Sequence, residues 1–408
     1  MLEVEGQGFS STVPMDVASG DLLGDWWRAY LHGVRPEAVS PSGQVLRVAE
    51  LFCGPGGLAQ GARQACTELG HRFSSGYAID NDPDAVGVYA LNHGTDYASS
   101  SSATMLVDFK VRGRRDKAVM AYEPAVIDDR FADMEGSFDL LLAGPPCQGH
   151  SNLNNHTRRD DGRNELYLTV PALAIAADIP MVVIENVTAV VHDASGVVET
   201  AKKLFQDAGY HLTDGVLRAD KLGWPQTRGR YFLVARKDRP PIPLGVVAAA
   251  LADEPRNVLW AIEDLVDAEP DNEMNRRPSM GPDNVRRVDW LFENDEYELA
   301  LDQRPPCHKE GTTYVAVYGR MYPDRPAPTL TTGFLTPGRG RFVHPLRRRV
   351  LTPAEAARLQ GFPDTYRWRL PGEQTPTSSL LTKWIGDAVP MPLGHAATLS
   401  VLGSGLPG

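Results

Sequence analysis

Short apolar segments alternate with segments of helical spacing from residue 45 to residue 236, and this rhythm constrains the fold more than any other feature. VLRVAELF (45–52) runs into the turn GPGG, and 58–69 then has helical spacing. GYAID (76–80) precedes a helix over 83–92, and FDLLLAG (138–144) meets PPCQG. A helix over 166–177 leads into PMVVIENV (180–187), and a helix over 198–208 into paired strands near 210–218 and 230–236. Apolar strands interleaved with helices indicate a parallel sheet covered on both faces. The expected class is α/β, doubly wound and Rossmann-like.

The chain of 408 residues is comfortable for two domains. Residues 1–44 read as an N-terminal extension with one short helix over 21–30, which contains Trp26 and Trp27. Residues 45–239 carry the strand–helix rhythm. Within them, 93–135 holds a serine run at 99–102 and a charged stretch at 110–117, which predicts a surface insertion. Residues 240–345 are rich in Pro, Arg and turn residues and lack the rhythm, so they are expected to form a second, smaller domain. Helical patterning returns at 353–362 and 381–389, placing 346–408 back on the first domain.

Composition excludes several classes. No apolar run approaches the ~18–20 residues of a membrane span, and MLEVEGQGFSSTV has neither the basic flank nor the apolar centre of a secretory signal. Cys53, Cys66, Cys147 and Cys307 show no CxxC spacing, which argues against a zinc site or a disulfide scaffold. A reduced, cytoplasmic protein with no metal and no membrane partner is the expectation. The net charge is −11, yet residues 276–350 hold 13 Lys and Arg against 9 Asp and Glu. A basic segment on an acidic body is compatible with one side that faces a polyanion, although such segments are usually solvated faces.

The glycine turn after 45–52 is a nucleotide cradle: glycine lets the backbone approach a ligand, and the helix N-terminus offers unpaired N–H groups. GPGGLA (54–59) fits the looser fingerprint G-x-G-x-x-A, so the turn alone leaves NAD and S-adenosylmethionine open. Asp80 ends the next strand, where a carboxylate accepts ribose hydroxyls of either cofactor. Cys147 follows an apolar strand and two prolines that stiffen its approach. Alone, such a cysteine is more often a small buried residue than a nucleophile. Glu185 ends a strand one βα step later, at the same sheet edge, so a thiol and an acid face each other across a nucleotide site. Such a pair suits methylation at C5 of cytosine. Thiolate addition to C6, with an acid protonating N3, makes C5 nucleophilic, and loss of the C5 proton then expels the thiolate. In QTRGRYF (226–232), Arg228 and Arg230 alternate, so they are expected to point together, toward a phosphate or the ring carbonyl.

Taken in order, these segments resemble the bacterial DNA (cytosine-5) methyltransferase family over about 45–236 and 346–400. AELFCGPGG is similar to its cofactor motif, which implies Phe52, Gly54, Gly56 and Gly57 as S-adenosylmethionine contacts. Asp80 matches the ribose-binding acid, and Asp108 in MLVDF is the candidate for the acid of the third motif. GPPCQGHS implies Gly144 and Pro146 beside the cofactor, Cys147 as nucleophile, and Gln148 and Ser151 on DNA. RNELY places Leu166 at the cofactor, ENV supplies Glu185, and QTRGR supplies Arg228 and Arg230. PLRRRVLTPAEAARLQGFPD is similar to the motif that supports a target-recognition domain. GDAVP implies Asp387 and Ala388 at the cofactor pocket.

The resemblance implies a class I methyltransferase sheet and a target-recognition domain, 240–345, with double-stranded DNA between them and the target base flipped out. Residues 149–164 match the loop that closes over DNA, with Arg158, Arg159 and Arg163 as DNA contacts. Thr329 and Thr331 are further phosphate contacts. The implied partners beyond DNA are a cognate restriction endonuclease or phage-defence proteins, and the implied location is the nucleoid. Two departures stand out: Asp387 replaces the family's asparagine, and His150 stands where GPPCQ is usually followed by x-Phe-Ser. The alternatives are the same chemistry on tRNA, a catalytically silent DNA-binding module, and a dehydrogenase. The tRNA enzymes carry a Cys-Phe-Thr motif that is absent here. A silent module would have lost Cys147 or Glu185, and a dehydrogenase leaves ENV, QTRGR and GDAV unexplained.

Overall fold

The computed structural model describes residues 20–34, 43–146, 166–308 and 316–405. Helix α1 (Leu22–Leu31) precedes β1 (Val45–Leu51), α2 (Gly57–Glu68), β2 (Arg72–Ile79), α3 (Pro83–His93) and β3 (Tyr97–Ser99). An excursion follows: β4 (Val107–Asp108), β5 (Val111–Arg112), β6 (Val119–Met120), β7 (Ala125–Val126) and α4 (Asp129–Ala132). The chain returns through β8 (Leu140–Ala143), α5 (Leu166–Ala176), β9 (Met181–Asn186), α6 (Val197–Asp207), β10 (His211–Arg218) and β11 (Gly229–Arg236). Then come α7 (Leu244–Ala250), α8 (Val258–Ile262), α9 (Pro282–Glu293), α10 (Pro353–Gln360), α11 (Ser378–Asp387) and α12 (Met391–Leu402).

Seven strands form one sheet in the order β10-β11-β9-β8-β1-β2-β3. The five from β9 to β3 are parallel, and β11 joins β9 antiparallel with β10 folded back on it as a hairpin. Alternation along the strands sorts the core. Leu46, Val48, Leu140, Leu142, Val183 and Val234 face one layer, which includes α2 and α12. Ala49, Leu51, Leu141, Ala143, Val182 and Ile184 face the other, which includes α5 and α6. Burial on both faces is why the strands read as unbroken apolar runs.

The first layer continues into residues expected to lie in a separate domain. Leu244, Val247, Val258, Ile262, Leu330 and Phe342 share its core with Trp384 and Leu393. A distinct small core, Val288, Leu291, Leu299 and Val343, forms around α9. The insertion contributes β3 to the main sheet, and β4–β7 and β5–β6 form two separate two-stranded ladders. Among the described residues no helix is long and apolar enough to cross a membrane, and no cluster of three or more His, Cys, Asp or Glu is arranged for a metal.

Candidate active site

The carboxyl end of β1 turns sharply. Phe52 has φ 56°, a left-handed conformation unusual for a bulky residue, and Gly54 and Gly56 follow at 51° and 95°. Asp80, at the end of β2, fixes this turn: one carboxylate oxygen accepts from Gly54 N at 2.9 Å and the other from Asp82 N at 2.9 Å. A side chain at Gly56 would collide with His93 and Tyr366, and one at Gly57 would reach the Val389 carbonyl, 2.4 Å away. A Cβ on Gly54, by contrast, would meet nothing within 4 Å among the described residues. The loop is therefore backed tightly by protein on one side and open on the other.

Beneath the loop lies Glu50, 1 % exposed. Burial pushes its carboxyl up to about 8, and the nearby Asp80 charge adds to the effect. One of its oxygens, Oε2, has no hydrogen-bond partner among the described residues. The strand pattern did not single out this residue, although an acid inside an apolar strand was the signal that could have done so.

Glu185 occupies the corresponding edge of β9. It stands opposite Phe232 in register, so Arg230, two residues before Phe232, projects from the same face on the diagonal. Arg230 Nε meets Glu185 Oε1 at 2.7 Å, and both side chains are largely buried. Burial raises the Glu185 carboxyl above its usual range against the pull of Arg230 and Arg228. A Cβ on Gly144, at the end of β8, would lie 3.7 Å from Glu185 Oε2 and 3.8 Å from the Phe52 carbonyl. The acid, the glycine turn and the β8 edge thus converge on one point. Asn186, a residue the sequence reading passed over within ENV, donates to the Pro145 carbonyl at 3.2 Å and ties the approach to Cys147 to β9.

Arg228 and Arg230 do not act as a matched pair. Arg228 precedes β11, and its Nη1 donates to the carbonyls of Leu330 at 2.6 Å and Gly386 at 3.0 Å. It ties the GDAV segment to the APTLTT segment. Gly386 needs to be glycine here, since a Cβ would lie 2.5 Å from Thr332 N. Thr331, whose hydroxyl accepts from Gly333 N at 3.4 Å, therefore lies against this segment, two residues after half-buried Thr329. On the other side, Lys383 Nζ pairs with Asp82 at 2.6 Å and holds α11 over the β2–α3 turn. Dehydration in this cleft, reinforced by the Asp80 charge, raises the Asp387 carboxyl against the pull of Lys383 and Arg228. Ala388 is buried at the end of α11.

Pro146 is half-buried beyond β8, and Leu166 opens α5. Asp108 belongs to the β4–β7 ladder, is exposed, and accepts from Tyr122 Oη at 2.9 Å. The serine run begins with the last residue of β3, Ser99, and continues as Ser100–Ser102. Cys147, Gln148, Ser151, Arg158, Arg159 and Arg163 lie outside the described residues.

Doubly wound sheets bind ligands outside the carboxyl ends of their strands, where the open side of the glycine turn and the buried acid meet. The class is that of a doubly wound α/β protein with an open glycine turn at the carboxyl edge of its sheet. Comparison with known proteins narrows it further. The chain is 36% identical over 402 residues to the type II methyltransferase M1.BsuMI of Bacillus subtilis, covering 97% of this chain and 91% of that one. It is 26% identical to the type II methylase M.HgiDII of Herpetosiphon aurantiacus, covering 87% and 94%. In fold it is similar to S. pombe Dnmt2 methyltransferase, with TM-score 0.59 and 18% identity, covering 88% and 100%. The chain belongs to the C-5 cytosine-specific DNA methylases, whose family model matches residues 46–402.

Proposed function

We propose that this DNA (cytosine-5)-methyltransferase uses S-adenosylmethionine and a covalent adduct between Cys147 and C6 of a cytosine flipped out of duplex DNA. The observation that carries the reading is Glu185: a buried carboxyl with raised proton affinity, clamped by Arg230 at 2.7 Å beside the glycine turn. The open face at Gly54 and the Asp80-braced turn fit a nucleoside with its ribose and charged tail. Phe52, Gly54, Gly56, Gly57, Asp80, Gly144, Pro146, Leu166, Asp387 and Ala388 are the residues that hold it. When bound, S-adenosylmethionine supplies the methyl group that C5 takes.

The chain's own residues carry the rest. The Cys147 thiolate adds to C6, and Glu185 delivers a proton to N3, so that negative charge does not accumulate on the ring. Arg230 keeps the Glu185 carboxyl oriented during this transfer. C5 then loses its proton to solvent, the C6–S bond breaks to release the thiolate, and N3 returns its proton to Glu185. Arg228, through Leu330 and Gly386, holds the Thr329–Thr331 segment at the edge of the cleft, where its hydroxyls contact phosphate. Residues 240–345 read the sequence, and Gln148, Ser151, Arg158, Arg159 and Arg163 contact DNA. The type II relatives support a modification role beside a restriction endonuclease or another defence system in the cytoplasm.

Trapping tests this reading. Fluorine at C5 blocks the final proton loss, so a duplex with 5-fluorocytosine at the recognition site should give a complex that survives denaturing electrophoresis when S-adenosylmethionine is present. Cys147→Ser should give none. Trapping on fluorinated tRNA alone would overturn the DNA substrate, and no trapping on either would indicate a silent binding module.

A further inference from the structure

The insertion between β3 and β8 contains the strongest concentration of positive charge that the site does not use. KVRGRRDK (110–117) holds five cations and one carboxylate in eight residues, on a chain whose net charge is −11. Lys110, Arg112, Arg114, Arg115 and Lys117 are all exposed. Among the described residues, the ion pairs include none of the five. Several other exposed arginines of this chain do have carboxylate partners, including Arg218 with Asp220, Arg286 with Asp283 and Arg347 with Asp267.

The stretch is a built element. Val111 pairs with Met120 and Arg112 with Val119 in the β5–β6 ladder. Its turn depends on Gly113 at φ 73°, where a Cβ would lie 2.1 Å from the Lys117 carbonyl. Arg115 anchors it: its backbone N–H donates to Thr200 Oγ1 at 2.8 Å, and its guanidinium lies against Gly196 and the Ala194 carbonyl. Those residues are the first turn of α6 and the segment leading into it. β9 ends at Asn186 and is followed by a 3₁₀ turn, Thr188–His192, so α6 starts at the same sheet edge on which Glu185 stands. The hairpin therefore carries its charge beside the edge at which a duplex must approach Glu185.

We propose that the β5–β6 hairpin is an auxiliary DNA-binding element that contacts the phosphate backbone flanking the target site, independently of sequence. This rests on the DNA methyltransferase reading above. A cation cluster without carboxylate partners, fixed beside the site of an acidic enzyme, suits a polyanion: each phosphate contact releases condensed counterions and adds affinity without base readout. Lys110, Arg112, Arg114 and Lys117 supply the contacts, and Arg115 positions the hairpin on α6.

The test is a variant carrying Lys110→Gln, Arg112→Gln, Arg114→Gln and Lys117→Gln, with Arg115 retained. Binding of wild type and variant is measured on duplexes with and without the recognition site, across a salt series and at two duplex lengths. The expected result is a rise in Kd of about tenfold on both duplexes at moderate salt, and a salt slope shallower by about two to four. The affinity that wild type gains from longer flanks should disappear. Equal Kd, slope and length dependence in a variant with an unchanged melting temperature would overturn the proposal, and would point to an acidic protein partner or a merely solvated surface. If the wild-type protein neither binds nor methylates DNA, the failure lies with the substrate reading, which separates the two.

Discussion

Glu185 is useful because two opposed influences act on it. Burial favours its neutral form, and Arg230 favours the anion while fixing its direction. Glu185→Gln keeps the shape and removes the acidic proton. The variant should lose about 10²–10⁴-fold in kcat while still binding S-adenosylmethionine, as measured by single-turnover methylation and calorimetry. A near-normal rate would remove Glu185 from the chemistry. Glu50 offers a separate test at this scale. Its carboxyl is raised from 4.5 to about 8 in the folded protein, so its contribution to stability is complete below the unfolded value and is lost as pH rises through about 8. Glu50→Gln has no charge to bury. Its stability relative to wild type should improve by about 2–3 kcal/mol between pH 6 and pH 9, read from paired denaturation curves, and a constant difference would sink the idea. Glu185 and Asp80 were legible as strand-end acids because strand direction alone places them at one edge. The separate tasks of Arg228 and Arg230 were not, since Arg228 lies just before β11, where strand alternation no longer governs it.

Elements were legible where the hydrophobic period was long. The first helix, β1 to α3, and β8 to β11 fall close to their expected bounds. β3 is three residues, Tyr97–Ser99, inside a serine-rich stretch, and its place in the sheet comes from pairing with β2. α12 is buried nearly all round, so it lacks the amphipathic stripe that helix periodicity reads. It packs closely on α2, where a Cβ at Gly61 would lie 2.5 Å from Met391 O and His395 N. The N-terminal helix α1 is an integral part of this layer. Trp27 makes edge contacts with Trp224 and His395, and Tyr30 donates to the Gly361 carbonyl at 3.1 Å. Trp27→Ala should therefore destabilise the protein by about 3 kcal/mol, seen as a lower denaturant midpoint at constant slope. A midpoint equal to wild type would show that the extension is dispensable.

At the scale of the whole molecule, the question is which part can change its target without breaking the enzyme. Composition marks 240–345 as distinct, because Pro, Arg and turn residues replace the strand–helix rhythm. Contacts in the structure cut across that span. Leu244, Val247, Val258, Ile262, Leu330 and Phe342 belong to the same core as α12 and α11, and the Leu330 carbonyl accepts from Arg228. Around α9, in contrast, Val288, Leu291, Leu299 and Val343 form their own small core. A graft replacing 276–318 with the matching segment of a relative should leave the main core intact and move the methylated sequence, as read by bisulfite sequencing of DNA from expressing cells. A graft of all 240–345 should lose stability as well, since it exchanges core residues facing unaltered partners, a mismatch that costs about 1–3 kcal/mol for each poorly fitting side chain. If the smaller graft folds, methylates and keeps the original target, the residues that read the sequence lie outside 276–318.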